Sequence, residues 1–343
     1  MPVVQRKRGK EKEPEKIDQN GVESKSEENK EKKGKPGSSS KKGISSASKI
    51  SKAKDIEGVQ ILPRIAIAVA LIAGFVCARD FFLEWYLEES GESTFASVSE
   101  TIPRRYMDVK CSNDYGKQFK DCVPKKCGRI VMDGVVSLEE ATHLVKLAKK
   151  GMKHGKPSGG PTILDLHTGA LTYEDKFVNI YTIAKKLGKG ALFKKEDFDI
   201  YRQVKNKVHN TIAREFNINK DKLYLTKPTF FSRMKAKPAK TIHDEYWHQH
   251  VDKKTYGSFY YTSLLYLSDY SRNFTGGRFV FVDKASNHTV EPKTGRLSFF
   301  TSGSENVHFV EKVTKGTRFA ITISFTCEKK FAIADPSLEN NNS

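Results

Sequence analysis

Residues 307–326 read VHFVEKVTKGTRFAITISFT. From Thr317 onward the stretch alternates strictly. Phe319, Ile321, Ile323 and Phe325 fall on one side, and Arg318, Ala320, Thr322 and Ser324 on the other. A period of two in aromatic and β-branched residues predicts a half-buried strand. Residues 307–311 predict another, and Lys312-Val313-Thr314-Lys315-Gly316 between them has turn character. An antiparallel hairpin reversing near Val313 would set His308 opposite Arg318. An arginine aimed into a sheet is costly unless it meets an anion, and a guanidinium fits a carboxylate in bidentate fashion.

The same period extends upstream through 223–231, 256–267, 278–282 and 297–301, with turn clusters at 273–277 and 293–295. Before residue 223 the period becomes helical. Ser137-Leu138-Glu139-Glu140 is a capping box. It opens a helix whose apolar face is Ala141, Leu144, Val145, Ala148 and Met152, with Lys146, Lys149, Lys150 and Lys153 on a solvated face. Further helices are predicted over about 172–187 and 198–216. Helices followed by a mostly antiparallel β region give an α+β fold, a sandwich or barrel backed by helices. The expected domain covers 135–330, followed by a tail at 331–343. It is preceded by a stem at 84–134 that reads as irregular and contains Pro103 and Pro124.

The whole chain of 343 residues carries a net charge of +19. Residues 1–60 are rich in Lys, Glu, Ser and Gly and lack aromatics, so they cannot bury enough apolar surface to fold and read as a disordered basic tail. Mixed charge without stacking rings argues against a nucleic-acid partner. Residues 65–78 read IAIAVALIAGFVCA, uncharged throughout. With Ile61 and Leu62, Arg64 snorkelling and Phe81, Phe82, Trp85 and Tyr86 at the far interface, residues 61–83 predict a transmembrane signal anchor. Lys49, Lys52, Lys54 and Arg64 lie before it, whereas Asp80, Glu84, Glu88, Glu89 and Glu92 follow. The positive-inside rule then predicts a single-pass type II membrane protein with a cytosolic tail and a lumenal or extracellular domain. Four cysteines beyond the span (Cys111, Cys122, Cys127, Cys327) suit an oxidising compartment. Zinc ligation by the first three is the alternative, though a fourth nearby ligand is missing.

Histidines and carboxylates gather at His243-Asp244 and His248-Gln249-His250-Val251-Asp252, with His308 later. Residues two apart on a strand share a face, so His250 and Asp252 could chelate one metal ion, joined by His308. Two imidazoles and one carboxylate leave about three positions open, as in non-haem Fe(II) oxygenases. His248 shares the same face and is the alternative ligand. H-x-D by itself arises freely by chance, and a histidine here is more often an ordinary hydrogen-bonded residue.

In the order and spacing of His250-Val251-Asp252, His308 and the basic residue ten positions on, the chain resembles the prolyl 4-hydroxylase-type Fe(II)/2-oxoglutarate dioxygenases. The similarity runs from about Val135 to Thr326. It includes Leu265-Tyr266-Leu267-Ser268, Gly276-Gly277-Arg278-Phe279, Gly295-Arg296-Leu297-Ser298-Phe299-Phe300 and Arg318-Phe319-Ala320-Ile321-Thr322. The resemblance implies a double-stranded β-helix (jelly roll) with flanking helices. It implies His250, Asp252 and His308 as Fe(2+) ligands. Arg318 and Tyr266 would hold the distal carboxylate of 2-oxoglutarate, Thr262, on Tyr266's strand face, would join them in binding the cosubstrate, and L-ascorbate would keep the iron reduced. The implied reaction hydroxylates a prolyl or other side chain of a protein or peptide and converts 2-oxoglutarate to succinate and CO2. Ser324 departs from the tryptophan of many relatives, which implies a wetter or wider pocket, and the loop 234–247 is long. A non-catalytic jelly-roll binding protein and a zinc-dependent cupin-like enzyme are the rival readings.

The sequons Asn273-Phe274-Thr275 and Asn287-His288-Thr289 lie on the side of the span expected to be lumenal. N-glycosidase treatment of the membrane-bound protein should raise its gel mobility. An unchanged mobility, with the C-terminus open to protease from the cytosolic side, would reverse the expected orientation.

Overall fold

The computed structural model describes residues 66–75, 78–79, 91–116, 118–188, 192–241 and 244–337. The basic tail expected at 1–60 lies outside the described residues. Of the expected span, only 66–75 and 78–79 are described, and they are helical. Among the described residues no helix is long and apolar enough to cross a membrane.

Three strands come first, β1 (Glu92–Ala96), β2 (Arg105–Val109) and β3 (Cys127–Met132). Helix α1 (Leu138–Met152), β4 (Lys156–Pro157), β5 (Pro161–Leu164), β6 (Ala170–Glu174), β7 (Lys176–Asn179), α2 (Ile180–Lys186) and α3 (Lys195–Glu215) follow. The remainder is β8 (Tyr224–Lys235), a short α4 (Asp252–Tyr256), β9 (Tyr261–Tyr266), β10 (Phe274–Gly276), β11 (Phe279–Phe281), β12 (Asn287–Val290), β13 (Leu297–Thr301), β14 (His308–Val310) and β15 (Val313–Thr326). The result is a mixed, sheet-rich α+β fold. A large sheet has the order β2-β3-β13-β9-β15-β8-β5-β6-β4, and a smaller one the order β1-β12-β11-β14.

The two faces of β15 divide the interior, as its alternation predicts. Phe319, Ile321, Ile323 and Phe325 pack with Leu144, Leu147 and Ala148 of α1 and with Tyr201, Val204 and Val208 of α3. Ala320 faces the other way, into a cluster that joins Leu264, Tyr266 and Phe300 of the large sheet to Phe279, Phe281 and Val310 of the small one. The functional side chains project into this second layer. Helix α1 begins as expected. Ser137 Oγ accepts from the Glu140 N–H, and the Glu140 carboxylate accepts from the Ser137 N–H.

Five expectations need correction. The hairpin reversing near Val313 does not form: β14 pairs with β11 of the small sheet, whereas β15 pairs with β8, β9 and β10. The chain changes sheets at Glu311-Lys312, so Arg318 lies opposite Met234 and not His308. The predicted helix over 172–187 is the β6–β7 hairpin followed by a short helix, because Thr172, Tyr173, Phe177 and Val178 favour pairing, and Asn179 caps the helix only afterwards. Asp252 lies at the start of α4 and not on a strand with His250. The segment read as an irregular stem supplies β1, β2 and β3, with β3 inserted between β2 and β13. The residues after 330 also dock: Ala332 bridges Thr226, and Asp335 meets Lys205 at 3.0 Å.

The four described cysteines pair as Cys111–Cys127 and Cys122–Cys327. The second pair ties the N-terminal segment to the end of β15 across 205 residues. A cross-link over so long a loop stabilises by limiting the unfolded chain, by about 2–5 kcal/mol. Cys327→Ser should lower the denaturant midpoint accordingly. The same midpoint in variant and parent, both kept oxidised, would show that the link adds nothing.

Candidate metal centre

His250 and His308 exchange backbone hydrogen bonds, His250 N–H to His308 O at 3.0 Å and His308 N–H to His250 O at 3.1 Å. This pairing brings the two imidazoles to a centroid separation of 4.4 Å. Each ring is fixed by a carbonyl. His250 Nδ1 lies 3.0 Å from His248 O, and His308 Nδ1 lies 2.9 Å from Asn306 O. A carbonyl only accepts, so both Nδ1 atoms carry the proton and both Nε2 lone pairs are left to face a cation. His308 is buried against Phe279, which stacks on it at 4.9 Å, and Phe300. Burial lowers its pKa, with the Asp252 carboxylate opposing, which favours the neutral ring that a metal requires.

Asp252 completes the set. Its Oδ1 is 3.6 Å from His250 Nε2 and its Oδ2 is 3.7 Å from His308 Nε2. The three candidate ligand atoms lie within 4.8 Å of one another. Thr262 Oγ1 donates to Asp252 Oδ2 at 2.6 Å and is 2.8 Å from Ser302 Oγ. Thr262, expected beside Tyr266, thus orients the carboxylate. Two imidazole nitrogens and one carboxylate oxygen, oriented and with one side open to a cavity, fit Fe(II) with positions to spare. His248 stands apart, exposed and paired with Glu245 at 2.6 Å. His243 lies outside the described residues.

The cavity over these ligands has a volume of about 420 Å³, and Arg318, Thr322 and Leu264 also line it. Three arginines are essentially sealed from solvent: Arg129, Arg296 and Arg318. Arg129 meets Asp283, and Arg296 meets Asp133. Arg318 meets no carboxylate among the described residues. Its Nε donates to Gly277 O at 2.9 Å, its Nη1 approaches only Met234 Sδ at 3.8 Å, and its Nη2 has no partner. Burial accordingly lowers its pKa. The guanidinium lies 5.6 Å from the Tyr266 ring. The Tyr266 hydroxyl and Ser298 Oγ are buried without partners as well, and burial pushes the Tyr266 phenol up to about 12. Gly277 has φ +68°, and a Cβ there would sit 3.1 Å from Arg318 Cδ, so the glycine makes room for the arginine stem. A buried cation with unused donors beside unsatisfied hydroxyls fits a bound carboxylate.

Sequence reasoning missed Asn306, Ser302 and Arg129, polar residues outside any recognisable spacing. Ser324 is fully buried but is not part of the cavity wall, which Thr322 forms instead.

His250→Ala or Asp252→Ala should abolish Fe(II) binding in an anaerobic chelator competition, because no neighbouring group can replace the lost ligand. His248→Ala should leave it intact. Iron lost in His248→Ala and kept in His250→Ala would move the ligand assignment.

A model of the 2OG-Fe(II) oxygenase superfamily matches residues 233–326. The chain is 53% identical over 273 residues to 2-oxoglutarate and iron-dependent oxygenase domain-containing protein 3 of Xenopus tropicalis, covering 79% of this chain and 84% of that one. It is 28% identical over 226 residues to prolyl 3-hydroxylase 1 of Rattus norvegicus, covering 60% of this chain and 30% of that one. Among solved structures it is similar to a prolyl hydroxylase from Trichoplax adhaerens, with 15% identity and a TM-score of 0.40 over 59% of this chain and 84% of that one. Half of the residues shared with a relative over most of both lengths, with the His-Asp-His centre in place, shows that the chain belongs to the 2OG-Fe(II) oxygenase superfamily.

Proposed function

We propose that the chain is a membrane-anchored dioxygenase that hydroxylates a side chain of a lumenal or secreted protein. The observation that supports it most is the pairing, in one cavity, of a two-histidine, one-carboxylate centre with a buried arginine that meets no anion among the described residues. His250, Asp252 and His308 would hold Fe(II), and Arg318 with Tyr266 would hold the distal carboxylate of 2-oxoglutarate. When bound, iron and cosubstrate supply a hydroxylation by O2 coupled to conversion of 2-oxoglutarate to succinate and CO2, with ascorbate maintaining the reduced metal. The protein's own part is orientation and exclusion of water. The carbonyls of His248 and Asn306 fix both rings, Thr262 fixes the carboxylate, and Phe279, Val310 and Leu264 keep the cavity wall apolar.

The similarity to prolyl 3-hydroxylase 1 favours a prolyl acceptor in a polypeptide. Phe177 and Tyr256, both exposed, stand at the cavity mouth where such a chain would enter. The two packed sheets favour a double-stranded β-helix. Type II anchoring by residues 61–83 rests on their apolar sequence and flanking charges, and pairing of all four described cysteines suits an oxidising lumen. Exposed Asn273 would carry a glycan readily, whereas Asn287 lies within β12 between β1 and β11.

Arg318→Ala should weaken 2-oxoglutarate binding while iron stays bound. Breaking a buried guanidinium–carboxylate pair costs about 3–5 kcal/mol, roughly two to four orders of magnitude in affinity. Arg318→Lys should be intermediate, since it keeps the charge and loses the fork. Anaerobic calorimetry reads both affinities, and unchanged 2-oxoglutarate binding by Arg318→Ala would remove the cosubstrate assignment.

A further inference from the structure

Arg129 lies on β3, far in sequence from the metal ligands and outside residues 233–326. Its side chain is fully buried. Nη1 and Nη2 each donate to Asp283 at 2.6 Å, one to each carboxylate oxygen. Nε donates at 2.6 Å to Asn306 Oδ1. Because Arg has only donors, this bond fixes which end of the Asn306 amide is oxygen. The amide nitrogen then donates to Thr301 O at 2.8 Å and to Thr301 Oγ1 at 3.1 Å. Asn306 is thereby clamped from both ends of its side chain. Its backbone carbonyl accepts from His308 Nδ1 and sets the orientation and tautomer of that ring. The guanidinium also lies 4.4 Å from the ring of Phe281, the residue opposite His308 in the β11–β14 register.

We infer that Arg129 is a positioning residue for the metal centre, acting through Asn306 to aim His308. The inference rests on the metal-site reading above. Its physical basis is that a metal ligand is only as well oriented as the acceptor behind it, and removing such a support typically lowers metal affinity by about 10–100-fold. Asp283 is the counter-ion of this support. It lies at the surface end of the network, 3.4 Å from His288 Nε2, and keeps the Arg129 charge neutralised where the chain buries it.

A merely structural arginine would affect folding and metal binding together, so the test separates them. Fe(II) affinity would be measured anaerobically by chelator competition for the parent, Arg129→Gln and Arg129→Lys. Thermal midpoints and the ligand-field spectra of the Co(II)-substituted proteins would be recorded on the same preparations. Lys can neutralise Asp283 but cannot span Asp283 and Asn306 with a rigid fork. Arg129→Lys should therefore keep most of the parent's thermal stability while binding Fe(II) about 10-fold or more weakly, with a shifted Co(II) spectrum. Arg129→Gln should bind still more weakly. If Arg129→Gln does not fold, Arg129→Lys alone decides. A folded Arg129→Lys with the parent's Fe(II) affinity and Co(II) spectrum would overturn the inference. A parent protein that does not bind Fe(II) would overturn the metal-site reading itself, and this inference with it.

Discussion

A guanidinium sealed inside a protein needs an anion, and Arg318 has none among the described residues. The protein answers that need elsewhere: Arg129 is neutralised by Asp283, and Arg296 by Asp133 together with the carbonyls of Ser97, Glu100 and Glu291. At Arg318 the surroundings are a carbonyl, a thioether and the ring of Tyr266, whose hydroxyl has no hydrogen-bond partner among the described residues. Such an arrangement is costly unless a ligand supplies the charge. The other features of the site follow from serving that ligand. The cavity joins Arg318 to the His-Asp-His centre, and the glycines before β11 fold the backbone close enough for Gly277 to meet the arginine. A dicarboxylate held at one end by arginine and at the other by a metal satisfies both orphaned ends at once.

Much of this was legible in the sequence. Strict alternation in 317–326 identified β15 and divided its faces correctly, because a period of two survives any sheet topology. The capping box at Ser137 located α1, since its signal is local. His250, Asp252 and His308 were singled out by the family resemblance, since H-x-D alone is too common to decide, and the fold does bring the three together. What could not be read was non-local. The supposed hairpin brought His308 and Arg318 together for the wrong reason: they belong to different sheets and meet only across the cavity between them. Local propensity also misread 172–179, where tertiary pairing between β6 and β7 prevails over a weak helical period. Asn306, Ser302 and Arg129, which the sequence did not single out, are polar groups spread over 177 positions, and no spacing rule links them.

The N-terminal strands change how the catalytic domain should be delimited. β3 hydrogen-bonds to β13, β1 pairs in parallel with β12, and Cys122 is joined to Cys327. Residues 91–116 and 118–134 are therefore part of the folded unit that supports the metal centre. Irregular spacing and two prolines concealed this, because strands this short, Glu92–Ala96, Arg105–Val109 and Cys127–Met132, have little periodicity to detect. The first of these strands begins only a few residues beyond the aromatic cluster that follows the apolar segment.

The most direct test of the central claim is a crystal structure of the protein with Mn(II) in place of iron and with 2-oxoglutarate. The expected result is an anomalous peak ligated by His250 Nε2, Asp252 and His308 Nε2. The cosubstrate's 2-oxo acid end should complete the metal site, and its far carboxylate should sit on Arg318 and the Tyr266 hydroxyl. A metal bound elsewhere, or 2-oxoglutarate bound without contact to Arg318, would contradict it.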